Sequence, residues 1–205
     1  MLKIKSKKDL AKILSKLSKL NIKNVKYEQY ETDPEIASFA IWFAYLNNDI
    51  ANKTIADLGA GNGILGIGCA LLNAKLVYFV EKDDNAVKIL KENIKLMNIN
   101  NCIIKKIDIN DFNLKVDTVI ENPPFGTKIK HHDILFLEKA MDISSVIYSF
   151  HKSNTINYIK DFCNRKGFDI VFEKKFKFPI KHSFSFHKKP IKYVDVSFIK
   201  ITKSL

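Results

Sequence analysis

The chain has 205 residues, room for one domain with a modest appendage that buries roughly 70% of its unfolded surface. With 46% hydrophobic and 27% charged residues it is neither disordered nor collagen-like, and its scattered cysteines (Cys69, Cys102, Cys163) build neither a disulfide framework nor a zinc site. The net charge of +12 sits at the periphery: residues 1–30 hold nine lysines against Asp9 and Glu28, and residues 174–192 hold seven lysines and no acid, whereas residues 54–121 set eight lysines against nine acids. Such basic flanks suit a polyanionic partner such as nucleic acid, although surface lysine also serves plain solubility.

In chain order, residues 9–20 (DLAKILSKLSKL) place Leu10, Ile13, Leu14, Leu17 and Leu20 at helical spacing, with Ser6 and Asp9 as an N-terminal cap. The N-terminus interrupts its apolar positions with lysine, so it reads as neither a signal peptide nor a membrane span, and a cytoplasmic protein is expected. Thr32, Asp33 and Pro34 start a second helix that runs to about Leu46. From residue 54 short apolar runs alternate with helical periodicity, the signature of a parallel sheet covered on both faces. The predicted strands are 54–58 (TIADL), 76–81 (LVYFVE), 102–107 (CIIKKI), 116–121 (VDTVIE) and 146–150 (VIYSF), separated by helices. Two further strand-like runs, 168–179 and 191–202, have no helix between them, which predicts an antiparallel pair at one edge.

The segment Asp57-Leu58-Gly59-Ala60-Gly61-Asn62-Gly63-Ile64 joins the first strand to its helix, where a nucleotide-like ligand meets a helix N-terminus. Three glycines alone make only a tight turn. Glu81 ends the second strand about 20 residues on, however, the position from which a carboxylate holds two ribose hydroxyls, and Asp108 after the third strand can accept a hydrogen bond from an adenine amino group. The glycines follow G-x-G-x-G and not the dinucleotide pattern G-x-G-x-x-G, which favours a cofactor without pyrophosphate. S-adenosylmethionine fits, with Asp57 attracting its cationic amino-acid tail.

The fourth strand ends in Glu121-Asn122-Pro123-Pro124-Phe125-Gly126-Thr127-Lys128. As structure alone this is a chain-breaking turn. As chemistry, an exocyclic amine on a nucleobase is planar and poorly nucleophilic. The Asn122 amide oxygen and the Pro123 carbonyl would accept its two N–H bonds and aim its lone pair at a sulfonium methyl. Pro123 and Pro124 hold the corner rigid, and Phe125 offers a face on which a flipped base stacks for about 1–3 kcal/mol.

This motif behind such a glycine loop resembles the amino methyltransferases of the class I Rossmann-like fold. The stretches Glu28-Gln29-Tyr30, Asp57 to Gly68, Asn122 to Lys128, Tyr148-Ser149 with His151-Lys152-Ser153, and Phe186 to Lys189 resemble one group, the ribosomal-RNA adenine N(6)-methyltransferases that include methyltransferase-like protein five of eukaryotes and its archaeal counterparts. The resemblance spans about residues 27–200 and implies an α/β fold with a mostly parallel seven-stranded sheet, an N-terminal helical extension (1–50) packed on a methyltransferase domain (51–205), and N(6) methylation of an adenosine in small-subunit ribosomal RNA. It further implies that Gln29, Thr32, Asp57, Gly59, Gly61, Asn62, Ile64, Glu81, Asp108 and Ile109 line the S-adenosylmethionine pocket, and that Asn122, Pro123, Pro124 and Phe125 hold adenine. Lys128, Lys130 and His131 beside that loop, with Lys188 and Lys189 between the last strands, would reach RNA phosphates. No metal is expected. A small zinc-binding activator protein is implied at the outer strand 102–107, whose backbone would otherwise be unpaired beside isoleucine. Guanine N(2) methylation of RNA and a non-catalytic RNA-binding or assembly role remain alternatives on the same fold.

Overall fold

The computed structural model describes residues 4–20, 32–124, 132–180 and 192–204. Helices α1 (Lys7–Leu14) and α2 (Pro34–Leu46) precede the strands β1 (Thr54–Leu58), β2 (Leu76–Val80), β3 (Cys102–Lys105), β4 (Thr118–Glu121), β5 (Val146–Lys152), β6 (Phe168–Ile180) and β7 (Lys192–Lys203). Helices α3 (Ile64–Leu71), α4 (Asp84–Leu96), α5 (His132–Ile143) and α6 (Ile156–Arg165) follow β1, β2, β4 and β5. The seven strands form one sheet in the order β3-β2-β1-β4-β5-β7-β6. The first five are parallel, and β7 runs antiparallel to both β5 and β6. The predicted class I architecture with an antiparallel edge pair is therefore present. Among the described residues no helix is long and apolar enough to cross a membrane.

Strand alternation divides the core in two. Ile55, Val77, Phe79 and Ile120 face a layer formed by α1 to α4, and Ala56, Leu58, Val80 and Val119 face α5 and α6. Aromatic rings join α2 to the antiparallel strands: Phe43 stacks on Phe172 at 4.1 Å, and Phe39 meets Phe176 edge-on at 5.2 Å. Each such pair is worth about 0.5–1.5 kcal/mol beyond its buried area.

Several boundaries differ from expectation, and at three of them a hydrogen bond gives the reason. The first helix stops at Leu14 and does not reach Leu20, since the Ser18 amide donates to Asn93 Oδ1 at 2.8 Å and not to a helical carbonyl. The third strand ends at Lys105, where the Ile107 amide turns back onto the Lys105 carbonyl. Val116 lies outside β4 because its amide donates to the Ile143 carbonyl at the end of α5.

Candidate active site

The glycine loop is set by its own backbone. Gly59, Gly61 and Gly63 have φ of 67°, 56° and 85°, a region that costs an L-residue roughly 1 kcal/mol or more. At Gly61 that conformation turns the amide toward Glu81 Oε2, 2.9 Å away. Gly66, one turn into α3, serves by close approach. A Cβ there would stand 2.4 Å from Phe79 Cε1 and 2.9 Å from Asp57 Oδ2, and its absence lets the Gly66 amide donate to Asp57 Oδ2 at 2.8 Å.

Beside this loop, at the carboxyl ends of β1, β2 and β4, lies a cavity of about 330 Å³. That is within the usual range of roughly 300–1,000 Å³ for a small-molecule site. Of the predicted cofactor residues, Thr32, Asp57, Gly59, Gly61, Asn62, Ile64, Glu81, Asp108 and Ile109 all line it, as do Asn122, Pro123 and Pro124. Gln29, Phe125, Lys128, Lys130, His131, Lys188 and Lys189 lie outside the described residues.

Each acid has a distinct environment. Burial pushes the Asp57 carboxyl up to about 7, the Gly66 amide opposing and Glu81 adding to the rise. Glu81 is 5% exposed and accepts backbone hydrogen bonds on both oxygens, from Gly61 on Oε2 and from Lys82 (2.8 Å) and Asp83 (2.9 Å) on Oε1. A carboxylate has about four acceptor positions, so these amides hold the group in place and leave acceptor capacity on it. Asp108 caps a short 3₁₀ turn, Ile109–Asp111, and pairs with Lys82 Nζ at 3.0 Å. The Asn110 amide, outweighing partial burial and aided by Lys82, holds its carboxyl below the usual range.

Asn122 follows β4 directly, and its Nδ2 donates to Thr32 Oγ1 at 2.9 Å. Thr32 is thus a site residue and not the cap of α2; the cap is Asp33, whose Oδ1 accepts from the Glu35 amide. Anchoring the amide nitrogen on a hydroxyl fixes which side of the Asn122 group presents its oxygen.

Several lining residues gave no signal in the sequence. Leu20 reaches the cavity because the segment after α1 is latched down: Asn93, fully buried on α4, donates through Nδ2 to the Ser18 and Asn62 carbonyls, at 3.1 and 2.9 Å, and accepts from the Ser18 amide. Phe136 reaches it from α5, where a Cβ on Gly59 would stand 2.8 Å from the ring. A helical phenylalanine otherwise reads simply as core.

Four acids, Asp57, Glu81, Asp83 and Asp108, line the cavity, and Lys82 is engaged with the last of them. That charge pattern fits a cationic ligand carrying a ribose and a base, and it opposes a pyrophosphate. S-adenosylmethionine matches on charge, on size and on the glycine cradle, which a side chain would fill.

Comparison with known proteins agrees. The family model described as "Methyltransferase small domain" matches residues 37–142. The chain is 33% identical to the rRNA N(6)-adenosine-methyltransferase METTL5 of Danio rerio, over 95% of this chain and 98% of that protein. It is 34% identical to rRNA N(6)-adenosine-methyltransferase Mettl5 of Drosophila melanogaster, over 83% and 84%. A crystal structure from Pyrococcus horikoshii, described as a candidate RNA methyltransferase, superposes with a TM-score of 0.90 at 40% identity, covering 99% of this chain and 100% of the other. With the glycine loop, its acids and the Asn122 corner assembled on one sheet, this chain belongs to the METTL5 family of rRNA N(6)-adenosine-methyltransferases.

Proposed function

We propose that this chain methylates the exocyclic N(6) amine of an adenosine in small-subunit ribosomal RNA. The observation that carries this reading is Asn122, anchored by Thr32 at the end of β4 and opening onto the acid-lined cavity. When bound, S-adenosylmethionine supplies an electrophilic methyl group on sulfur. Asp57 attracts the ammonium of its tail, Glu81 accepts from a ribose hydroxyl, and Asp108 with Ile109 borders the adenine. Asn122 Oδ1 and the Pro123 carbonyl accept the two N–H bonds of the target amine and direct its lone pair inward. Phe125 stacks on the flipped base. The methylated nitrogen would be acidic and would give up one proton to water, so no strong base is needed at the site. Lys128, Lys130, His131, Lys188 and Lys189 grip phosphates around the target.

Strand β3 is an edge of the sheet, with Ile103 41% exposed. An exposed edge strand is a template for another chain, and a small zinc-binding activator protein pairing there is the partner we propose. In this reading residues 1–50 are an extension packed on the methyltransferase domain of 51–205, and the enzyme works in the cytoplasm.

The test is transfer of labelled methyl groups to purified small- and large-subunit ribosomal RNA, followed by nucleoside analysis, with and without the activator. N(6)-methyladenosine in small-subunit RNA is expected. Asn122→Ala should lower kcat at least about a hundredfold while cofactor affinity changes little, because the lost acceptor acts on the developing transition state. Label in N(2)-methylguanosine, or none in any RNA, overturns the reading.

A further inference from the structure

On the face of the sheet covered by α5, behind the Asn122 corner, polar side chains form a line through the core. Glu121 is fully buried, and its Oε1 accepts from Ser149 Oγ at 2.9 Å. Ser149 Oγ lies 2.9 Å from His151 Nε2, and His151 Nδ1 stands 3.5 Å from Asp133 Oδ2, an ion-pair distance. Ser149 and His151 are also fully buried, whereas the Asp133 side chain is 23% exposed. The alignment follows from register: Glu121 on β4 is paired with Ser149 on β5, and residues two apart on a strand share a face.

Ser149 bridges Glu121 and His151, and the tautomer of His151 decides which of its nitrogens presents a proton, Nε2 to Ser149 or Nδ1 to Asp133. Burial pushes the Asp133 carboxyl up, but the nearby His151 imidazole and the backbone amides of Asp133 and Ile134 outweigh it and hold the group below the usual range. Glu121 Oε2 and His151 Nδ1 are both buried with no hydrogen-bond partner among the described residues, and His151 Nδ1 meets Asp133 only at the ion-pair distance. An unsatisfied buried oxygen of this kind costs about 1–3 kcal/mol, and an apolar side chain would avoid that cost.

The two ends of the line are the two ends of one loop. Glu121 immediately precedes Asn122, and Asp133 lies in the first turn of α5, so the β4–α5 connection carrying Asn122, Pro123, Pro124 and Phe125 begins and ends on partners of the same two β5 side chains. We propose that Ser149 and His151 are positioning residues for methyl transfer, holding both ends of the catalytic loop at a fixed separation through Glu121 and Asp133. This rests on the methyltransferase reading for its kinetic consequence, but not for the mechanical one.

The groups facing Glu121 are Ser149 on β5, Asp133 on α5 and Asp57 on β1. Burial pushes Glu121 up to about 8, with Ser149 opposing and both aspartates adding to the rise.

The test uses the full chain with Ser149→Ala, His151→Ala and Glu121→Gln, the last keeping an acceptor for Ser149 while removing the ionisable proton. Backbone hydrogen exchange is read first. In Ser149→Ala and His151→Ala the amides of Asn122, Asp133 and Ile134 should exchange about tenfold faster while those of α3 stay unchanged, which is local opening and not global unfolding. Turnover is read second, and kcat should fall about tenfold with cofactor Kd within about twofold, since displacing the loop costs orientation and not cofactor binding. Glu121→Gln, which keeps the acceptor, should leave exchange at the loop ends within about twofold of wild type. Unchanged exchange at the loop ends in the alanine variants overturns the clamp, as does Glu121→Gln opening the loop as far as Ser149→Ala does. If the wild-type chain makes no N(6)-methyladenosine, the functional reading fails by itself, and hydrogen exchange still decides the clamp.

Discussion

Lowering the pH from 7 to 5 should weaken S-adenosylmethionine binding about fiftyfold, and Asp57 is the cause. Its carboxyl is 1% exposed, accepts one hydrogen bond from Gly66, and faces Glu81 across the loop, conditions that raise it to about 7. In the free protein at pH 5 the group is almost wholly neutral. A bound ammonium stabilises the anion, so binding releases a proton, and affinity falls about tenfold per unit below 7, each step ~1.4 kcal/mol. With half of the protein ionised at pH 7 and about one molecule in a hundred at pH 5, the ratio is about fiftyfold, or ~2 kcal/mol. The ligand's own amino group loses its proton near pH 7.7–8.0, so affinity should peak between about 7 and 8. The fold tolerates the acid arm as far as this group is concerned. A raised folded-state value means that its contribution to stability is complete below about pH 4 and is lost as the pH rises through 7. Calorimetric titration from pH 5 to 9, in buffers of different ionisation enthalpy, gives both Kd and the number of protons released. Asp57→Asn should bind more weakly at pH 7 and show no acid limb. A Kd constant within about twofold between pH 5 and 7, or no proton release at pH 6, would refute the electrostatic role given to Asp57.

Two further substitutions test how the pocket is built. Gly66→Ala places a methyl group against Phe79 and the Asp57 carboxylate, and overpacking of this kind costs about 1–3 kcal/mol. A lower melting temperature and weaker cofactor binding are expected together, and a variant as stable as wild type would show that the contact relaxes freely. Asn93→Ala removes the side chain that holds Ser18 and Asn62, at about 1–3 kcal/mol for each buried partner left unsatisfied. Limited proteolysis should then cut within residues 15–20, and cofactor affinity should drop because Leu20 no longer closes the cavity; unchanged cleavage would show that other contacts hold the segment.

The architecture was legible because its signals are local. Alternating strands and helices follow from side-chain periodicity along a few residues, and glycine and proline mark the two working corners through their own backbone restrictions. Hence Asp57, Glu81, Asp108 and Asn122 were identifiable from spacing alone, and all line one cavity. What stayed hidden depends on groups far apart in the chain. Leu17 and Leu20 have helical spacing, yet the helix stops before them because Asn93, 75 residues beyond Ser18, offers better partners. Thr32 entered the pocket only through the family resemblance, and its contact with Asn122 at 2.9 Å exists only in the folded chain. The three backbone amides that hold Glu81 also come from the folded loop and not from its spacing. The Glu121 to Asp133 line exists only through the β4–β5 register and the placement of α5. Local sequence sets backbone preference and the face each side chain takes, whereas hydrogen-bond partners and desolvation depend on which elements pack together.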